Sequence, residues 1–562
     1  MSAQILPAVT AGINPEKFSD DFVFSRQRNV LITFLVILML AGFALRVSNL
    51  SAESLSEDEL NKLQTVADYR TSGLSGRNGE HPFLMKGLQM ASIIIADKWN
   101  EFSARKISDE FALRFPTVLF GTFTILLLFL LVKELFGSSS GLITAALWAF
   151  EPTAIGFDRI AKEDSFLLFF FLLTSIRWLR GQSIAERGNP RWFKYALLAG
   201  IAFAALMASK YLPHLLAILA SYYIVFQAIP ATKRRLGRPR WLLMLVLMGV
   251  SFLVFNPTIL LPETWREMLK FSGEKRIAHD SYEFMGELYR NQMTAWLTGV
   301  PWTFYYVFIF VKTSLVTLIF FLAGLPLLFK RRLGDGRYFI FFWAFLWFMP
   351  FSVLGGKFTR YFTVAAPLVL IAAAVGFYFF MQWLTHKFFS EKTITASIFQ
   401  TVLFIALLAV PLFDSLSAAP YFRLFTNSIG GGETRAGYYF PHDEFYDTSI
   451  REIVAAIAAR ARPNAVVANE TPTLFVYYAK KSGRADLKSV SLSDQPEAAN
   501  LAAGDFIVAA RGRRYFSNRA YLDYLENSAA PVAETKAGEV ISAQIYQLDE
   551  TSAAKIHELA KQ

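Results

Sequence analysis

Residues 48–87 read SNLSAESLSEDELNKLQTVADYRTSGLSGRNGEHPFLMKG, a polar stretch between two strongly apolar runs. The run before it, Asn29 to Leu45, carries no charge. It approaches the roughly 20 residues that a helix needs to cross a bilayer. A polar loop after a first span is usually a tether. This one gathers Asp58, Glu59, Glu80, His81 and Lys86 into a single short connection.

Composition sets the class. Of 562 residues, 54% are hydrophobic and 55 are Phe, more apolar side chain than a soluble chain of this size can bury. Several uncharged runs are of spanning length, which reads as a polytopic α-helical membrane protein. The formal charge of +11 comes from basic residues clustered between the apolar runs. That is the positive-inside pattern, and it calls for a lipid bilayer and no nucleic acid. The chain has no cysteine, which excludes disulfides, thiolate metal sites and thiol catalysis.

Working outward, residues 1–28 form a polar tail with Lys17, Arg26 and Arg28. The tail is long and no small-x-small cleavage site follows, so Asn29–Leu45 reads as a retained first span with a cytoplasmic N-terminus. After the loop, 83–96 is short, contains Lys86 and suits an interfacial or re-entrant helix. Arg114-Phe115-Pro116 opens the next span, and the charged connection Asp158 to Asp164 should return to the side of the first loop. Basic connections follow around Arg177–Lys194, Lys233–Arg240, Lys330–Arg337 and His386–Lys392. Between them lie a second long polar loop, 262–301, and the short turn Gly355–Tyr361. This alternation predicts about eleven spans over 29–413, with the carboxylate-bearing loops 48–82 and 262–301 outside. From Asp414 the composition is that of a soluble domain. Helix patterns at 448–461 and 473–481, with strands at 465–468, 505–510 and 540–548, predict a small outer α/β domain over 414–562. Gly430-Gly431-Gly432 reads as a flexible hinge.

The chemistry-bearing residues each have two readings. Ser56 with Glu59 fits a capping box, so the acidic pair can be a helix start. A carboxylate just outside a span can also serve as a general base. No His-x-x-x-His spacing accompanies His81, which argues against imidazole ligation of a metal. The acids of the second loop, with Asp58, leave a divalent metal held by oxygen ligands open. Lys210, Lys357 and Arg360 lie near outer ends of spans, where cations either snorkel or grip a phosphate.

In order, these elements resemble the GT-C glycosyltransferase superfamily, in the branch of protein O-mannosyltransferases and lipid A aminoarabinose transferases. The likeness covers roughly residues 30–385. It rests on Asp58-Glu59, then on Glu80-His81-Pro82, which is similar to that branch's His-Pro-Pro-Leu element, with Phe83 where a second proline is frequent. It continues through Arg114-Phe115-Pro116 with Gly121, Arg159-x4-Asp164 and the Gly200–Lys210 run. Trp302–Lys312 with Tyr305-Tyr306, and Lys357-x-x-Arg360-Tyr361, complete it. The resemblance implies a polyprenyl-phosphate sugar donor, a glycan, lipid or protein acceptor, and inversion at the sugar carbon. It makes Asp58 the base, with Glu59 and Glu80 holding sugar or acceptor. His81, Lys86, Arg159, Asp164, Lys210, Lys357 and Arg360 then line the donor phosphate site on the outer face of the cytoplasmic membrane. The rival readings are a transporter or flippase of lipid-linked sugars and a receptor working through its C-terminal domain. Repeated halves with broken spans, the mark of many transporters, are not evident.

Overall fold

The computed structural model describes residues 28–187, 189–228, 238–273, 279–293, 296–389 and 394–561. Nearly all of the N-terminal tail, the loop around Arg234 and Lys275-Arg276 lie outside the described residues. Each apolar run read from the sequence lies on one helix or on consecutive helical segments. Among the described residues, five helices are both long and apolar enough to cross a membrane: Asn29–Val47, Asp109–Phe136, Gly336–Val353, Ala366–Phe388 and Ile394–Ala418. Shorter apolar helices of 10–17 residues, such as Trp192–Met207 and Leu315–Leu327, pack among them.

The faces of these helices divide by burial. Leu31, Leu35 and Leu38 of the first helix are buried, while Ile32, Val36, Ile37 and Leu40 are exposed. Ile394, Ile398, Val402 and Ile405 form a similar exposed row on the last long helix. Large apolar side chains facing outward at helical spacing fit a lipid surround. Inside, Leu315–Leu327 and Ala366–Phe388 approach so closely that a Cβ on Gly324 would lie 1.9 Å from the Ala372 carbonyl oxygen. Small residues permit such backbone contact where no water drives helices together.

The polar stretch that follows the first helix folds into two more helices. Glu57–Ser72 starts at the Ser56 cap, with the full capping box to Glu59. Phe83–Phe102 is a continuous helix of 20 residues, longer than the sequence reading gave it. In the second long loop, β1 (Ser281–Phe284) and β2 (Glu287–Arg290) form an antiparallel hairpin.

The last long helix continues through Asp414 to Ala418, past the composition change. Beyond it lies a five-stranded sheet of β3 (Val466–Asn469), β4 (Lys488–Ser491), β5 (Phe506–Ala510), β6 (Ala533–Ala537) and β7 (Val540–Gln547), in the order β4-β3-β5-β7-β6. The β3 strand runs parallel to both neighbours, and β7 is antiparallel to β5 and β6. This α/β layer is not a separate body. Leu55, Leu60 and Val66 of the first loop share one core with Ile453, Val454, Leu474 and Phe475. The Tyr478 hydroxyl accepts from the Leu55 N–H at 2.7 Å and donates to Glu110 at 2.8 Å. Gly430–Gly432 is an anchored turn, not a free hinge. Asn427 caps it and also donates to the Phe310 and Thr313 carbonyls at 2.7 Å each.

Candidate active site

The first two polar connections meet in a network of buried charge. Three carboxylates each face a lysine. Lys162 is ion-paired with Asp58, Lys62 lies 3.0 Å from Glu163, and Lys210 lies 2.7 Å from Asp164. His81 approaches Glu163 at 3.4 Å. Burial pushes its imidazole down to about 3, past the pull of Glu163, so the ring is neutral.

Asp58 differs from the other acids of the network. Its side chain keeps 42% exposure, whereas those of Glu53, Glu59, Glu163 and Asp164 keep at most 6%. Tyr446 donates its hydroxyl to Asp58 at 2.8 Å, and the Arg360 guanidinium stands 3.9 Å away. Partial burial pushes the Asp58 pKa up, but Lys162, Arg360 and Lys62 outweigh it and hold the carboxyl well below its usual range. Asp58 is therefore ionised. Burial, with Lys62 and Arg360 nearby, brings the Lys162 ammonium down to about 8 even against Asp58.

Glu59 is placed otherwise than the sequence suggested. It is fully buried, and the Arg114 guanidinium grips it through two bonds of 2.8 and 2.7 Å. Its oxygens also accept from the Ala161 and Ser56 N–H groups. Burial raises its pKa, Arg114 lowers it further, and the net is about 2. Arg114 also donates to the carbonyls of Leu50, Glu53 and Ser54. The pair thus clamps both loops under Asp58 and leaves no oxygen of Glu59 for a substrate.

Arg159 is likewise spent. It donates to the carbonyls of Leu45, Arg46, Ser48 and Asn49 and packs over the Phe422 ring. The last carbonyls of a helix have no partner within it, and Arg159 caps those of the first helix. Lys357 is turned inward, donating to the carbonyls of Val300, at 2.8 Å, and Leu354. Lys86 is buried and donates to the Asn78 carbonyl at 2.7 Å, while Asn78 donates to Glu80 at 2.6 Å. These contacts close the turn before Pro82. Neither Lys86 nor Lys357 presents its ammonium to the space beside Asp58.

Arg360 is the contrasting cation. Its guanidinium lies over the Phe358 ring at 4.2 Å and between Asp58 and Asp443, at 3.9 and 4.0 Å. Among the described residues it makes no side-chain hydrogen bond. A planar cation held by aromatic faces keeps its N–H fork for an anion.

Beneath the site, Arg46 donates to Asp158 at 2.8 Å and to the carbonyls of Gly42, Trp148 and Ala149. Asp158 sits so close to Gly121 that a Cβ there would lie 2.1 Å from its carboxyl carbon. The glycine after Arg114-Phe115-Pro116 is thus a seat for this buried pair.

Sequence reasoning passed over Lys62, Lys162 and Glu163, which it saw only as charges in short connections. It also missed the C-terminal contribution. Tyr446 and Asp447 both adopt left-handed backbone, at φ 46° and 63°. Strained non-glycine turns persist where surroundings hold them, often at functional sites. Here Arg513 grips Asp447 at 2.8 and 2.5 Å, and Asp447 accepts from the Glu57 N–H at 3.1 Å. Asp443 accepts from the Tyr282 hydroxyl at 2.6 Å and the Thr359 N–H at 2.8 Å. The aromatic and acidic run Pro441–Asp447 was the available signal. Among the described residues no group of three His, Asp or Glu side chains comes together as a metal-binding set. Asp58, Glu163 and Asp164 are each paired with a lysine instead.

Residues 104–261 match the family model described as dolichyl-phosphate-mannose-protein mannosyltransferase. YkcB of Bacillus subtilis (strain 168), to which a mannosyltransferase activity is ascribed, is 26% identical over 196 residues. That alignment covers 33% of this chain and 25% of the relative, so the chain matches about a quarter of that protein's length. Among solved structures, ArnT from Cupriavidus metallidurans bound to undecaprenyl phosphate is similar at TM-score 0.47 and 13% identity, over 92% of this chain and 97% of that one. The oligosaccharyltransferase AglB of Archaeoglobus fulgidus, solved with an inhibitory peptide and a dolichol-phosphate, is similar at TM-score 0.49 and 12% identity, over 87% and 70%. Residues 104–261 are thus similar to a mannosyltransferase family, part of the chain is similar to YkcB, and the long apolar helices are those of a multi-pass helical membrane protein.

Proposed function

We propose that the protein transfers a sugar from a polyprenyl-phosphate donor to an acceptor hydroxyl, with inversion, and that Asp58 is the general base. The observation that carries this reading is the state of Asp58. It is the ionised, half-exposed carboxylate in a network whose other acids are enclosed. The acceptor oxygen attacks the sugar carbon as the bond from that carbon to the phosphate oxygen breaks. The electron pair leaves with the polyprenyl phosphate, and the acceptor proton passes to Asp58.

A carboxylate held well below its usual range is a weak base, so the resting site needs a trigger. Lys162 and Arg360 supply one. Both face Asp58, and both are the type of cation that a phosphate would draw to itself. Donor binding between them takes positive charge away from Asp58 and raises its basicity when the leaving group is in place. The same cations then stabilise the charge that develops on the departing phosphate. Tyr446 holds the Asp58 oxygen where an acceptor hydroxyl would donate. Glu59 and Arg159 become positioning residues, and Lys210 with Asp164 sets the wall beside Tyr361.

Orientation follows from the charge at the far helix ends. Arg114 lies at the site and Lys133 at the opposite end of the same helix. Nineteen residues at 1.5 Å each separate them by about 28 Å, close to the thickness of a hydrocarbon core. Arg177 and Arg180 stand near the far end of Glu163–Glu186 in the same sense. By the positive-inside rule this charge distribution supports an orientation with Asp58 and the α/β layer on the outer face of the cytoplasmic membrane. The reading is tested by incubating the purified protein with a panel of polyprenyl-phosphate sugars and assaying release of polyprenyl phosphate. Release with none of them removes the transferase reading.

A further inference from the structure

A cavity lies between the β1–β2 hairpin and the C-terminal sheet, with a volume of about 590 Å³. That is within the roughly 300–1,000 Å³ of ordinary ligand sites. Its walls carry the guanidinium groups of Arg511, Arg514 and Arg519 and the carboxylates of Glu283, Glu287 and Glu526. Three cations against three anions leave the lining without net charge. Arg514 is tied to Glu526 and Asp523, and Arg519 lies 3.2 Å from Asp523. The Glu283 carboxylate has no hydrogen-bond partner among the described residues, and burial raises its pKa.

The cavity shares two walls with the candidate active site. Along β1 successive side chains point to opposite faces. Tyr282 turns to Asp443 on the catalytic side, and Glu283 turns into the cavity. The segment after β5 divides in the same way. Arg513 reaches Asp447 and stands 3.7 Å from Glu57, whereas Arg511 and Arg514 line the cavity. The two sites are therefore one strand apart.

We infer that this cavity binds the sugar rings of a neutral glycan acceptor, remote from the hydroxyl that reacts; this rests on the transferase reading above. A charge-balanced lining gives an anion no net attraction. The Glu283 carboxylate and the Arg511 guanidinium, both in this lining, offer an acceptor and donors to one ligand, which suits vicinal hydroxyls. Carbohydrate recognition here would also explain why an α/β layer is fused to the membrane part and clamped to its first loop.

The test uses the full chain in lipid nanodiscs and an array carrying neutral oligosaccharides, acidic oligosaccharides and unstructured peptides. Neutral oligosaccharides are expected to bind, with little dependence on salt. Glu283→Gln is expected to weaken that binding at least about tenfold, the cost of one good polar contact. Arg519→Ala, on an exposed helix start, is the second variant if Glu283→Gln fails to fold. Preference for acidic glycans or peptides, no neutral glycan bound, or full binding by the folded variants would each overturn the inference. Release of polyprenyl phosphate by the wild-type protein is read separately. Its absence with every donor tried defeats the transferase reading, while glycan binding defeats or supports the cavity by itself.

Discussion

The hydroxyl of Tyr446 donates a 2.8 Å hydrogen bond to the carboxylate of Asp58, from 388 positions further along the chain. The two meet because the α/β layer shares its core with the first polar loop, and because Arg513 holds the left-handed turn at Asp447. A hydrogen bond to the charged form lowers a carboxyl pKa, so its removal raises it. Tyr446→Phe is expected to shift the acid limb of the pH–rate profile upward, with the donor KM unchanged. A merely structural Tyr446 would leave the limb where it is. The pH dependence of polyprenyl phosphate release measures this.

Arg159 and Arg360 should separate cleanly. Arg159→Ala uncaps the first helix and leaves buried carbonyls unpaired, at a cost of about 1–3 kcal/mol. Its thermal midpoint should fall while donor affinity in the folded fraction is retained. Arg360→Ala should keep the midpoint and lose roughly 10²–10³ in transfer rate, the usual effect of removing one charge-stabilising donor. Melting curves and donor titrations on both variants check this.

Lys162 gives the donor a pH dependence. Its ammonium sits at about 8, so its charge is present below that value and lost as pH rises through it. Donor affinity is expected to fall above about pH 8 in the wild type. In Lys162→Arg the guanidinium stays charged and the fall should disappear. Equilibrium donor binding across pH decides between the two.

Glu59 concerns stability. Its pKa of about 2 in the fold lies below its ordinary 4.5. A depressed carboxyl stabilises the fold above its unfolded value, and that contribution is lost as pH falls from about 4.5 toward about 2. The difference corresponds to about 3 kcal/mol. Glu59→Gln should lower the thermal midpoint at neutral pH and flatten its decline in acid. An unchanged acid profile would contradict the clamp.

The periodic features could be read in the sequence, and the long-range ones could not. Apolar runs and basic connections placed the helices, and the Ser56–Glu59 spacing announced the cap that forms. The partner of each charge was not legible. Arg159 looked like a phosphate ligand because position along the chain does not tell a capping guanidinium from a free one. Lys357 looked free for the same reason. Lys62 and Lys162 were overlooked because an ion pair with Glu163 or Asp58 depends on how two loops fold together. Tyr446 was out of reach because its contact spans 388 residues. The strands at Lys488–Ser491 and Ala533–Ala537 are four and five residues long and made mostly of small and polar side chains, so they carry little of the hydrophobic signal that marks a strand.

The central claim is that the ionised carboxylate of Asp58 takes the acceptor proton. Asp58→Asn keeps the side-chain shape and can still accept from Tyr446, but it has no basicity. The direct measurement is single-turnover transfer from a polyprenyl-phosphate sugar by Asp58→Asn, with donor binding titrated in parallel. The account expects transfer to fall by about 10²–10⁴, the range for loss of a general base, while donor still binds. Wild-type transfer by a folded Asp58→Asn protein would contradict it.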